Sequence, residues 1–143
     1  MIKSYDHLTI AVTNLESAKE FFQILGFETT HDLVIEGEPF STFMDIKNLK
    51  AQHVTLKHQA ANVEIQLLYF YSPEPQTDPH IGRLDKLGYN HLCFGVKDIE
   101  AVVETLKTKK IKILSHIMTF NSRKLVYIRG PEGVVIELAE WLN

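Results

Sequence analysis

The sequence predicts an α+β fold made of two tandem βαβββ modules. Three observations carry this. First, the chain repeats itself. "YDHLTIAV" begins at Tyr5 and "YNHLCFGV" at Tyr89, an offset of 84 residues. At that offset Tyr5/Tyr89, His7/His91, Leu8/Leu92, Val12/Val96, Glu16/Glu100 and Glu20/Glu104 are identical pairs. Second, each copy runs from a short apolar strand into a polar cap and then into a pattern of helical period. Third, each helix is followed by several β-like runs before the next connection.

The elements follow in order. The first strand of each copy ends at Asn14 or Asp98, residues whose side-chain oxygens accept an orphan backbone N–H at a helix start. The helices are "LESAKEFFQILG" and "IEAVVETLKTKK". Leu15, Ala18, Phe22 and Leu25 share one face of the first, and Ile99, Val102, Val103 and Leu106 one face of the second. Gly26 is placed to end the first helix. The β-like runs are "FETTHDLV", "FSTFMDI", "QHVTLKH" and "NVEIQLLYF" in the first half. In the second they are "IKILSHIMTF", "KLVYIRG" and "VVIELAEW", with "GPEGV" a tight turn between the last two. The proline-bearing segment "YSPEPQTDPHIGRLDKLG" connects the halves. Neither half has enough sheet to bury both of its faces, so the expectation is one domain, 1–143, with module one at about 1–74 and module two at about 87–143.

Composition narrows the function classes. A chain of 143 residues is long enough for a real core. A net charge of −3 leaves no basic footprint, so nucleic acid is not an expected partner. Cys93 is the only cysteine, which excludes an internal disulfide and suits a reducing compartment. No window approaches the roughly 20 apolar residues of a membrane span, and the N-terminus has no signal-peptide core. A soluble cytoplasmic protein with no membrane partner is expected.

"DHLTIAVTNLESAKEFFQILGF" and "NHLCFGVKDIEAVV" resemble the two strand–helix openings of the vicinal-oxygen-chelate superfamily, which includes glyoxalase I, bleomycin-resistance proteins and extradiol dioxygenases. "RGPEGVVIEL" is similar to its closing turn and strand. The resemblance spans nearly the whole chain, both halves in order. It implies a glyoxalase-like fold, in which two βαβββ modules form a strongly curved sheet around a metal-centred cavity. It also implies a small-molecule substrate. Oligomers are common in such folds, and a homodimer is expected. Whether the modules pair within one chain or across a dimer stays open.

Within that frame His7 and His91 occupy equivalent positions, which a pseudo-two-fold axis would bring together. Strand alternation puts Glu137 on one face with Val135 and Ala139, where a carboxylate is costly unless paired or bound to a cation. Two imidazoles and a carboxylate suit a divalent metal such as Zn, Ni, Co, Mn or Fe(II). The matching slot in module one falls on Gln66, with Glu64 as the alternate. The expected metal set is therefore His7, Gln66, His91 and Glu137. For Glu137 the competing role is an ion pair with Arg123, Lys124 or Arg129. His31, His53, His58, His80 and His116 have no repeat partner and read as surface or second-layer residues, although His53 and Thr55 alternate in a way that could line the cavity. Tyr5 and Tyr89 read as packing residues, and Cys93 as a buried, inert thiol.

The resemblance implies that the metal stabilises an enolate-like intermediate. Lyase or isomerase chemistry of the lactoylglutathione lyase type is favoured, with Glu137 as the catalytic base and Arg123 binding substrate. A methylmalonyl-CoA epimerase-like enzyme would carry a further glutamate near "NLKAQHV", where no acid stands. The alternatives are a non-catalytic bleomycin-resistance-like binding protein and an Fe(II) extradiol dioxygenase-like enzyme.

Overall fold

A computed structural model describes all 143 residues. The chain divides into two compact units, Met1–Thr77 and Asp78–Asn143. Each carries one mixed four-stranded sheet.

The first unit runs β1 (Leu8–Ala11), α1 (Leu15–Ile24), β2 (Glu28–Glu36), α2 (Phe40–Met44), β3 (Lys50–His58) and β4 (Val63–Ser72). Its sheet order is β1-β4-β3-β2, with β1 parallel to β4 and the other pairs antiparallel. The second unit runs β5 (Leu92–Gly95), α3 (Ile99–Thr108), β6 (Met118–Phe120), β7 (Arg123–Arg129) and β8 (Val135–Trp141), in the order β5-β8-β7-β6. Again the first strand pairs parallel with the last. Both units are therefore βαβββ in topology, and the α+β class read from the repeat holds.

The helix starts are set by the expected residues. Asn14 Oδ1 accepts from the Ser17 N–H at 3.0 Å, and Asp98 Oδ1 accepts from Ala101 N–H at 3.0 Å. The two caps are repeat-equivalent. Removing a side-chain cap exposes one of the four unpaired N–H groups of the first turn. Asp98→Ala is therefore expected to cost about 1 kcal/mol in denaturant unfolding, and Asp98→Asn much less. Equal losses in the two variants would mean that charge, not the hydrogen bond, matters there. At the other end of α1, Gly26 sits at φ +95°, and a Cβ there would lie 2.8 Å from His58 Nε2. Only glycine fits that turn.

α1 packs on β4 and α3 on β8. Phe22, Leu56, Ile65 and Leu67 are fully buried in the first unit, and Ile99, Leu106, Ile136 and Leu138 in the second. Strand alternation then fixes the other face. Ile65 and Leu67 point into the core, so Glu64, Gln66 and Leu68 point away from it. Likewise Ile136 and Leu138 face one way, and Val135, Glu137 and Ala139 the other.

The structure departs from the sequence reading at four places. "FSTFMDI" is not a strand but the short helix α2, followed by Asp45 in the left-handed region. After Gly37 at φ +61° the chain closes helical hydrogen bonds, Ser41 N–H to Gly37 O at 2.8 Å and Phe43 N–H to Pro39 O at 3.0 Å. Met44 and Ile46 pack on Ile35, Leu49 and Ala51, so tertiary burial overrides the β propensity of Phe and Thr. "IKILSHIMTF" is strand only at Met118–Phe120, with an isolated bridge from Ile113 to Ile128. Between them Ser115 Oγ accepts from the Tyr127 N–H at 3.1 Å, a side chain standing in for the ladder. Tyr5 and Tyr89 are 59% and 51% exposed and lie outside the buried core. Cys93 is exposed rather than buried. No helix is long and apolar enough to cross a membrane.

Candidate functional site

In the first unit, His7 stands immediately before β1. Its Nδ1 contacts Asp6 Oδ1 at 2.5 Å. Gln66 lies mid-β4, paired on one side with Thr9 of β1 and on the other with Thr55 of β3. Its side chain is part of a chain of polar contacts. Gln66 Oε1 lies 2.9 Å from His53 Nε2, and Gln66 Nε2 donates to Glu64 Oε1 at 2.9 Å. Glu64 in turn approaches His7: one ligand atom each from Asp6, His7 and Glu64 lie within 4.8 Å of one another, close enough to share a cation. Tyr5 has its phenol pKa raised by partial burial, then by the nearby Glu64 and Asp6 carboxylates.

In the second unit, His91 stands immediately before β5, and Glu137 lies mid-β8. Glu137 pairs with Cys93 of β5 and Tyr127 of β7. Gln66 and Glu137 thus hold the same register position in their modules. Glu137 Oε2 sits 2.9 Å from His91 Nε2, with the carboxylate side chain 13% exposed. The His91 ring packs edge-on to Tyr127 at 5.4 Å between centroids. Burial raises the pKa of the Tyr127 phenol, with Glu137 and Cys93 adding to the shift. The Cys93 thiol is also raised, by burial first and by Glu137 next, with Arg123 opposing. An activated thiolate is the reverse of this arrangement.

The His91 ring is locked by a residue that sequence inspection passed over. Asn90 Nδ2 donates to Leu84 O at 2.8 Å, so Asn90 Oδ1 must be the atom facing His91 Nδ1 at 2.7 Å. An amide oxygen only accepts, so Nδ1 carries the proton. Nε2 then faces the Glu137 carboxylate. Asp6 is the repeat equivalent of Asn90 and holds His7 Nδ1 in the same way. The signal was present in the sequence, in the polar residue before each histidine. It was missed because the pair is Asp and Asn, not an identity.

The basic residues separate. Lys124 pairs with Glu100 at 2.8 Å, and Arg129 donates to the Gly82 and Gly133 carbonyl oxygens. Neither takes Glu137. Arg123 stacks on Trp141 with its guanidinium carbon 4.8 Å from the ring centre, and its Nε is buried without a hydrogen-bond partner. His58 packs edge-on against Phe27 at the end of β3, a structural role. His31 is exposed, with Nδ1 against Thr30 Oγ1.

Comparison with known proteins gives a consistent kinship. Residues 6–127 match the family model described as the glyoxalase/bleomycin resistance protein/dioxygenase superfamily. The chain is 29% identical to the mitochondrial methylmalonyl-CoA epimerase of Bos taurus, covering 94% of this chain and 73% of that one. It is 20% identical to the lactoylglutathione lyase of Pseudomonas putida, covering 95% and 84%. Among solved structures, a glyoxalase family protein from Bacillus cereus superposes with a TM-score of 0.90 at 26% identity, covering 100% of this chain and 97% of that one.

Proposed function

This chain belongs to the glyoxalase/bleomycin resistance protein/dioxygenase superfamily, and on that premise we propose that it is a metal-dependent lyase or isomerase acting on a small oxygen-bearing metabolite. The proposed divalent-metal ligands are His7 and Gln66 in module one and His91 and Glu137 in module two. The observation that carries this reading is the His91–Glu137 pair. Nδ1 is committed to Asn90, and Nε2 faces a carboxylate oxygen at 2.9 Å. An imidazole nitrogen and a carboxylate oxygen so paired are two donors of the type a divalent ion takes. Imidazole, carboxylate and amide oxygen donors fit a borderline divalent metal.

When bound, such an ion polarises a substrate carbonyl and stabilises the charge of an enolate-like state. The remaining work falls to the chain. Glu137 is the proposed base: it takes the proton from the carbon beside the carbonyl and returns it to the neighbouring carbon. Its position at 13% exposure limits competing water. Tyr127, held protonated, lies beside it on β7 and can donate a hydrogen bond to the substrate. Arg123, on the same face of β7 as Tyr127, would hold an anionic part of the substrate. A homodimer is the proposed assembly.

The test is elemental analysis after loading with Zn, Ni, Co, Mn or, without oxygen, Fe(II). About one ion per chain is expected from at least one of these metals. A protein that retains none of them overturns the reading. The loaded protein is then assayed on the methylglyoxal–glutathione hemithioacetal, on methylmalonyl-CoA and, with Fe(II), on catechol. Proton-transfer turnover on either of the first two supports the lyase or isomerase reading. Ring cleavage of catechol replaces it with the dioxygenase alternative.

A further inference from the structure

We infer that His53 is a positioning residue for the metal site, acting with Glu64 to clamp the Gln66 amide in one orientation. This rests on the reading of Gln66 as a ligand. An amide can present either end, and only its oxygen is a useful metal donor. Whatever fixes the amide therefore decides whether Gln66 offers a ligand or a repelling N–H.

The clamp follows from the chemistry of three side chains. The Gln66 NH2 donates to Glu64 Oε1 at 2.9 Å. The Gln66 oxygen is then forced toward His53, whose Nε2 lies 2.9 Å away. Two acceptors cannot face each other at that distance, so His53 Nε2 carries a proton and donates it. The carbonyl oxygen keeps a second lone pair for an ion. The geometry is built into the sheet. Thr55 stands directly across from Gln66, and His53 lies two residues along the same face of β3, opposite Leu68. Both side chains are partly buried, which strengthens the bonds between them. The second unit has no counterpart. Leu125 holds the position equivalent to His53, opposite Ala139, and Glu137 needs no clamp because both of its oxygens are equivalent donors.

The test measures metal affinity directly, by competition with a chromogenic chelator, using Zn²⁺ and then Co²⁺. His53→Ala is expected to weaken binding by about 10–100-fold, the range for outer partners of metal ligands. His53→Gln keeps an N–H donor and is expected to restore most of that loss. The visible absorption bands of the Co²⁺ protein should be unchanged in both, because the ligand set is intact. Gln66→Ala should shift those bands. Thermal midpoints of the metal-free variants show whether folding is preserved.

Wild-type affinity in His53→Ala, with Gln66→Ala impaired, overturns the clamp while leaving the metal site standing. A shifted Co²⁺ spectrum in His53→Ala that His53→Gln does not restore also overturns it, because His53 would then be a ligand itself. Failure of the wild-type protein to retain any of Zn, Ni, Co, Mn or Fe(II) removes the metal reading and the clamp together.

Discussion

Glu137→Ala is expected to lower divalent-metal affinity by more than about 100-fold, beyond the range seen when only outer partners of a ligand are lost. Glu137 is the one carboxylate of the proposed set. Removing it takes away the negative charge that balances the ion and leaves His91 Nε2 facing a void. The variant should therefore lose both metal and proton transfer. Glu137→Gln separates the two. It keeps an oxygen donor in register with Cys93 and Tyr127 but has no basicity, so it should retain part of the affinity and none of the turnover. Chelator competition and the proton-transfer assay read the two effects. If Glu137→Ala binds metal as tightly as the wild type, the second module does not supply the charged ligand.

Phe22→Ala should be the most damaging single truncation in the first unit, costing about 3–5 kcal/mol in equilibrium unfolding. Phe22 has no exposed surface and packs edge-on with Phe21 at 5.1 Å and Phe27 at 5.4 Å between centroids. Truncation removes both aromatic contacts and leaves a cavity under β4, the strand that carries Gln66. The repeat-equivalent Leu106, equally buried, should cost somewhat less as alanine, about 2–5 kcal/mol, because the lost side chain is smaller. Guanidinium unfolding followed by far-ultraviolet circular dichroism measures both. A cost below about 1 kcal/mol for Phe22→Ala would mean that the helix can close over the gap.

Both expectations begin from features visible in the sequence, but to different depths. Phe22 was legible from helical periodicity alone. Glu137 was singled out by strand alternation, with His91 named beside it as a fellow ligand and three basic residues as the competing partners. The structure puts His91 against it. Lys124 is held by Glu100, and Arg129 by two carbonyl oxygens. Such choices depend on which strands adjoin, and the sequence does not state that. The short helix α2 was illegible for a related reason. Its Phe and Thr favour strand locally, and only the burial of Met44 and Ile46 against β2 and β3 reverses the preference.

The sequence by itself determined the duplicated βαβββ order, the two helix caps, the core faces of both helices and the equivalent positions of His7 and His91. These rest on period, capping chemistry and repetition, all of which act over a few residues or compare like with like. The tertiary structure decided the rest. It set the Asn90–His91–Glu137 chain, the His53–Gln66–Glu64 chain and the stacking of Arg123 on Trp141. Each joins residues on different strands or loops, and strand register fixes which side chains meet. A histidine in a strand-like run can be read from the sequence. The atom its nitrogen faces is settled only when the neighbouring strand is in place.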